Sequence, residues 1–111
     1  MIMRTEQFQI RYAKSRLLLA FLLALGSEIS YAADTGKGAA LYATNCASCH
    51  GASGTSVMPG APNFARGDSL MKPDTQLMAS IKAGKNAMPS YRGILNDLDI
   101  LDVIAYLRTL H

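Results

Sequence analysis

Residues 45–51 read Asn45-Cys46-Ala47-Ser48-Cys49-His50-Gly51, and this stretch holds both cysteines of the chain and one of its two histidines. Cysteines at this spacing serve three chemistries: a redox dithiol, half of a zinc site, or a covalent anchor for a cofactor. A redox dithiol sits beside a βαβ pattern, and none is present. A structural zinc site takes four ligands, usually as two pairs, and the only other histidine is the last residue, His111. What fits is C-x-x-C-H, the pattern of c-type haem attachment. On a helical turn, positions i, i+3 and i+4 share a face. Cys46 and Cys49 can then bond the two haem vinyl groups, with His50 brought to the iron as an axial ligand.

Such a site needs a domain to enclose it and a route out of the cytoplasm. Its 111 residues suffice for one domain. Residues 1–16 carry Arg4, Arg11, Lys14 and Arg16 against Glu6 alone, and residues 17–26, LLLAFLLALG, form an apolar run. A polar stretch and Ser30-Tyr31-Ala32-Ala33 follow. A basic start, a short apolar centre and an A-x-A-like end predict a secretory signal peptide over 1–33, cleaved after Ala32 or Ala33. The apolar run is half the roughly 20 residues a membrane span requires, so no stable span is expected once the leader is gone.

Removing the leader changes the charge. Residues 34–111 hold seven basic residues and six aspartates, a formal +1 in place of the whole chain's +3. The high isoelectric point therefore belongs largely to the leader, and no nucleic-acid-binding stripe is implied. Seventy-eight residues make a thin core that commonly needs a disulfide, a metal or another fixed body. A Cys46–Cys49 disulfide would close too small a loop to contribute much.

Three helices are predicted in this part, over about 36–49, 73–83 and 97–110. In the second, Pro73 suits the first turn, Leu77, Met78 and Ile81 make an apolar stripe, and Gly84 ends it. In the third, Asn96 can cap the start, Asp97 and Asp99 sit in the first turn and Arg108 in the last. Its Ile100, Val103, Ile104 and Leu107 share one face. Between the first two helices lie about twenty residues rich in Gly, Ser and Pro, without strand alternation. A loop of that length in a small domain implies that it wraps something. The fold class is all-α.

The segment GKGAALYATNCASCHG, with Gly38 eight residues and Tyr42 four residues before Cys46, resembles the first helix of the class I monohaem c-type cytochromes. DVIAYLRTL is similar to that family's last helix, and the likeness covers nearly all of 34–111. The resemblance implies a small cytochrome c-like fold, three main helices around one covalently attached haem c and its iron. It implies a crossing of the first and last helices at Gly38, against Val103 and Tyr106. A glycine there lets two backbones approach closely.

Four methionines follow the leader: Met58, Met71, Met78 and Met88. Met78 falls on the stripe of the second helix and Met71 just before that helix. Met58 and Met88 both precede proline, which places each in extended or turn backbone. Met88, in NAMPSYRG, stands where the family places its distal ligand, and it is the expected second axial ligand, with Met58 as rival. In the family a proline carbonyl accepts the axial histidine's Nδ1–H; Pro62 is the candidate and Pro59 the rival. Phe64, Leu77, Ile81, Tyr91, Leu95 and Leu98 are expected in the haem pocket or core. His111 is expected to be solvated.

The function implied is that of a periplasmic carrier of single electrons between redox proteins that dock transiently, not an enzyme. The alternatives are a haem c subunit of a periplasmic oxidoreductase complex, or a gas-binding or sensory haem protein with an open sixth site. Between Arg66 and Arg92 five basic residues face only Asp68 and Asp74, a set that would steer an acidic partner if it gathers at the haem edge.

Overall fold

The computed structural model describes residues 2–24 and 30–111. Residues Met1–Tyr31 and Ala32–His111 form two separate compact units. The first is one helix, α1 (Ile2–Ala24), and no helix of the described residues is long and apolar enough to cross a membrane. The end of the apolar run at Gly26 and most of the polar stretch after it lie outside the described residues.

The second unit is built from α2 (Thr35–Asn45), the single turn α3 (Ala47–His50), α4 (Asp74–Ala83) and α5 (Asp97–Leu107). A 3₁₀ turn spans Phe64–Arg66. Among the described residues there is no strand, only isolated bridges at Lys85–Met88 and Arg92–Leu95. The all-α expectation holds, with one change in detail. The first helix is not continuous: Cys46, at φ −121° and ψ −35°, separates α2 from α3. The amide of Cys49 bonds the Cys46 carbonyl at 3.2 Å rather than that of Asn45, so the attachment motif occupies a tightened turn of its own.

Local chemistry accounts for where the helices begin. Asp34 caps α2 by accepting from the Lys37 amide at 3.0 Å. Asn96 opens α5 with a reciprocal capping box: its Oδ1 accepts from the Asp99 amide and Asp99 Oδ2 accepts from the Asn96 amide. Helix α4 starts after Pro73, which serves as its N-cap rather than its first helical residue, and stops at Gly84, φ +71°. Helix α5 ends at Leu107, three residues short of the predicted end, because Arg108 becomes the C-cap. Its guanidinium then reaches Leu70 O, Lys72 O at 3.1 Å, and the Asp74 carboxylate. One side chain thus pins the end of the long loop and the start of α4 to α5.

The α2–α5 crossing rests on Gly38. A Cβ at that position would lie 2.0 Å from the Asp102 carbonyl oxygen and 3.1 Å from Tyr106 Cβ. Beside the crossing, Tyr42 and Tyr106 pack with ring centroids 5.3 Å apart. Asp102 is fully buried, accepting from the Asp34 amide at 2.8 Å, with Lys37 Nζ 3.4 Å from its other oxygen. Lys37 also pairs with Asp99 at 2.6 Å. One lysine at the start of α2 therefore serves two carboxylates of α5.

The apolar side chains form two clusters rather than one. Tyr42, Phe64, Leu70, Val103 and Leu107 make the first; Leu77, Leu95, Ile100 and Ile104 make the second. Met78 packs against the second, while Met71 is 95% exposed. Leu98, expected inside, is 46% exposed instead. It falls between Asp97 and Asp99, off the face that carries Ile100, Val103, Ile104 and Leu107.

Two outcomes test this account. Alanine at position 38 would gain about 1 kcal/mol of helix propensity, but its methyl would strike backbone that cannot rotate away. Gly38→Ala should therefore lower stability by a net of about 2 kcal/mol or more in denaturant unfolding of the haem-loaded protein; an unchanged midpoint would contradict the close crossing.

The second outcome concerns pH. The hydrogen bond from Lys37 and then the Asn96 amide hold Asp99 below the usual carboxylate range. The Asp99 hydrogen bond, foremost, raises Lys37. A lowered carboxylate stabilises the fold above its unfolded pKa of about 4 and loses that contribution as pH falls through the folded value. The raised lysine contributes below its ordinary pKa of about 10.4 and loses this as pH rises. The stability gap between wild type and Asp99→Asn should therefore be full between those limits and close in acid, measured by urea unfolding across pH. A gap independent of pH would contradict the pairing.

Candidate functional site

Both apolar clusters contribute to the wall of one cavity of about 330 Å³, within the ~300–1,000 Å³ typical of small-molecule and cofactor sites. Tyr42, Phe64, Val103 and Leu107 of the first cluster line it, as do Leu77 and Leu95 of the second. Leu77, Leu95 and Phe64 were expected here, and Ile81 and Tyr91 join them. Residues of both clusters thus share one cavity wall.

Cys46, Cys49 and His50 line this cavity from the α2–α3 side. Both cysteines are half-buried. Burial pushes the Cys46 thiol up to about 11, with Cys49 beside it adding to the rise. His50 is buried, stacked on the Phe64 ring with centroids 4.6 Å apart. Its Nδ1 lies 3.2 Å from the Pro62 carbonyl oxygen; in the Nδ1–H tautomer the ring donates there and leaves Nε2 free. Pro59 lines the cavity, but it is Pro62 whose carbonyl meets the imidazole.

The turn that follows His50 depends on glycine. Gly51 sits at φ +80°, and a Cβ on it would lie 1.9 Å from the Thr55 carbonyl oxygen. Its own carbonyl accepts from the Tyr42 hydroxyl at 2.6 Å. The phenol is a donor throughout the neutral range, and burial, foremost, pushes its pKa up to about 12. The aromatic four residues before Cys46 therefore fixes the chain immediately after His50. The long loop then wraps back through Val57 and Met58, whose amides both bond the Cys49 carbonyl.

Met88 lines the same cavity from the segment between α4 and α5 and is half-buried. Two hydrogen bonds, Lys85 N to Met88 O at 3.1 Å and Met88 N to Lys85 O at 2.9 Å, hold its backbone in a tight turn. Gly84 makes that turn possible, since a Cβ there would meet the Met88 carbonyl oxygen at 2.6 Å. Ser90 Oγ donates to the Lys82 carbonyl at 2.6 Å and returns the segment to α4. Met58 also lines the cavity, on an exposed part of the long loop. His111 is exposed at the chain end.

The donor set fits a c-type haem. Two thiols and one imidazole stand on a single turn at one wall, a thioether enters from another segment, and aromatic and aliphatic groups supply the rest. Among the described residues no cluster of three or more His, Cys, Asp or Glu could hold a bare metal ion. Two features were hidden in the sequence. Tyr91 donates its hydroxyl to the Asn45 carbonyl at 2.5 Å, and Arg108 ties the long loop to α5. Neither long-range bond leaves a local pattern.

Comparisons with known proteins agree with this geometry. The family model for cytochrome c oxidase, cbb3-type, subunit III matches residues 33–107. Cytochrome c6 of Gracilaria tenuistipitata var. liui is 32% identical over 82% of this chain and 91% of that protein. Cytochrome c6 of Thermosynechococcus vestitus is 35% identical over 81% of both. The crystal structure of cytochrome c6 from the diatom Phaeodactylum tricornutum superposes with a TM-score of 0.56 at 30% identity, covering 68% of this chain and 92% of that one. With the C-x-x-C-H turn facing a cavity that both halves of the core surround, the chain belongs to the class I c-type cytochromes: it is an electron carrier with one covalently bound haem c, and not an enzyme.

Proposed function

We propose that the protein is a periplasmic carrier that passes single electrons between redox partners through a haem c held by His50 and Met88. The observation that carries this reading is that the Cys46–His50 turn and Met88 line one cavity from separate segments. Bound there, the haem supplies a one-electron couple at its iron, and His/Met ligation raises its potential.

The chain's own residues prepare that site. Cys46 and Cys49 anchor the cofactor through thioethers. The Pro62 carbonyl orients the His50 ring and makes Nε2 the better donor. The Lys85–Met88 turn presents the thioether with its backbone already fixed. Phe64, Leu77, Ile81 and Leu107 exclude water. Residues 1–33 act as an export leader, which puts attachment outside the cytoplasm.

For partners, the charge pattern supports transient docking. Of the five basic residues between 66 and 92, Lys82 pairs with Asp97 and Arg66 with Asp68. Lys72 and Lys85 line the cavity, where they would draw an acidic partner toward the cofactor. A second reading, a haem subunit of an oxidase complex, is favoured by the description of the matched family model. Coverage of 91% of a cytochrome c6 supports the free carrier.

Replacing the ligand tests the assignment. Met88→Ala should abolish the ferric methionine–iron charge-transfer band and lower the potential by a sizeable part of the roughly 0.8 V that axial ligation spans. Met58→Ala should leave both unchanged. The reverse result in potentiometric titration would transfer the role to Met58.

A further inference from the structure

We propose that Tyr91 is a positioning residue that latches the Met88 segment to the attachment turn and so keeps the methionine in place as a ligand. The proposal rests on the assignment of Met88 as an axial ligand, made above.

The latch begins with the break in the first helix. In an unbroken helix the Asn45 carbonyl would accept from the Cys49 amide. Here that amide bonds the Cys46 carbonyl instead, and so does the amide of His50. The break at Cys46 therefore frees a half-buried carbonyl immediately before the first anchoring cysteine, the kind of helix-end acceptor that needs a partner. The Tyr91 hydroxyl supplies it at 2.5 Å, across 46 residues of sequence. At neutral pH the phenol is protonated and can donate, and burial raises its pKa further.

The other hydrogen bonds of the segment show why this one matters. Lys85 and Met88 bond each other, Ser90 Oγ reaches Lys82, and the Tyr91 amide reaches the Ile81 carbonyl at 3.1 Å. Ile94 and Leu95 donate to the Tyr91 carbonyl. All of these either stay within the segment or return to α4. Among the described residues, the Tyr91 hydroxyl makes the one hydrogen bond that joins this segment to the α2–α3 wall.

That bond fixes the separation of the two walls that carry the proposed ligands. Without it, the Met88 turn keeps its internal geometry and its hold on α4, but no direct hydrogen bond ties it to the wall that carries His50. The methionine should then compete less well against an added ligand. An orphaned Asn45 carbonyl adds to the effect, because a half-buried acceptor without a donor is unfavourable.

The test is imidazole titration of the ferric, haem-loaded protein, followed by loss of the methionine–iron charge-transfer band. Tyr91→Phe should bind imidazole about fivefold more tightly than wild type, the factor that one neutral hydrogen bond is worth. Arg108→Met serves as the comparison, because it loosens the fold at Leu70, Lys72 and Asp74 and leaves the Tyr91–Asn45 bond in place. It should lose thermal stability without any gain in imidazole affinity. Equal gains in both variants, or no gain in Tyr91→Phe, would overturn the latch. Met88→Ala separates the two readings. If it leaves the band intact, the ligand assignment fails and the latch with it. If it abolishes the band while Tyr91→Phe behaves as wild type, the latch alone fails.

Discussion

Two clusters of apolar side chains line the cavity that the attachment turn and Met88 also face. Tyr42, Phe64, Val103 and Leu107 stand in one cluster, Leu77 and Leu95 in another, and the same cavity takes its wall from both. Leu41 packs against both clusters, and a body between them adds to the burial of each. In a c-type cytochrome that body is the haem, and its covalent attachment makes it part of the chain. The helix crossing at Gly38, the long loop and the two capped helices are arranged to hold these walls at the separation the cofactor requires.

Much of this was legible in the sequence because the constraints involved are local or periodic. C-x-x-C-H identified the cofactor, the stripe Ile100, Val103, Ile104 and Leu107 gave the inner face of α5, and Asn96 with Asp99 marked its start. Gly38 needed a partner to be understood, and the family likeness pointed to the helix that meets it. The Asp102 carbonyl, which a Cβ there would strike, became visible only in three dimensions.

What the sequence concealed has a common physical character. The break at Cys46 depends on where the Cys49 and His50 amides find acceptors, and that is settled between neighbouring turns rather than by residue preference. Leu98 looked like a pocket residue by type but lies off the inward face. Tyr91 acts through one bond to a backbone carbonyl 46 residues away, and Arg108 through bonds to two carbonyls and a carboxylate 34 to 38 residues away. No periodicity or composition records such a bond. These are also the contacts that join segments to each other, so the sequence displayed the parts of the site more fully than the ties that set their spacing.

The domain folds around its covalently held cofactor, and thermal unfolding of Cys46→Ala/Cys49→Ala produced without haem attachment tests this. No cooperative transition and a weak tertiary signal in near-ultraviolet circular dichroism are expected, since so small a core cannot close unaided. A sharp cooperative melt close to that of the haem-loaded protein would contradict it.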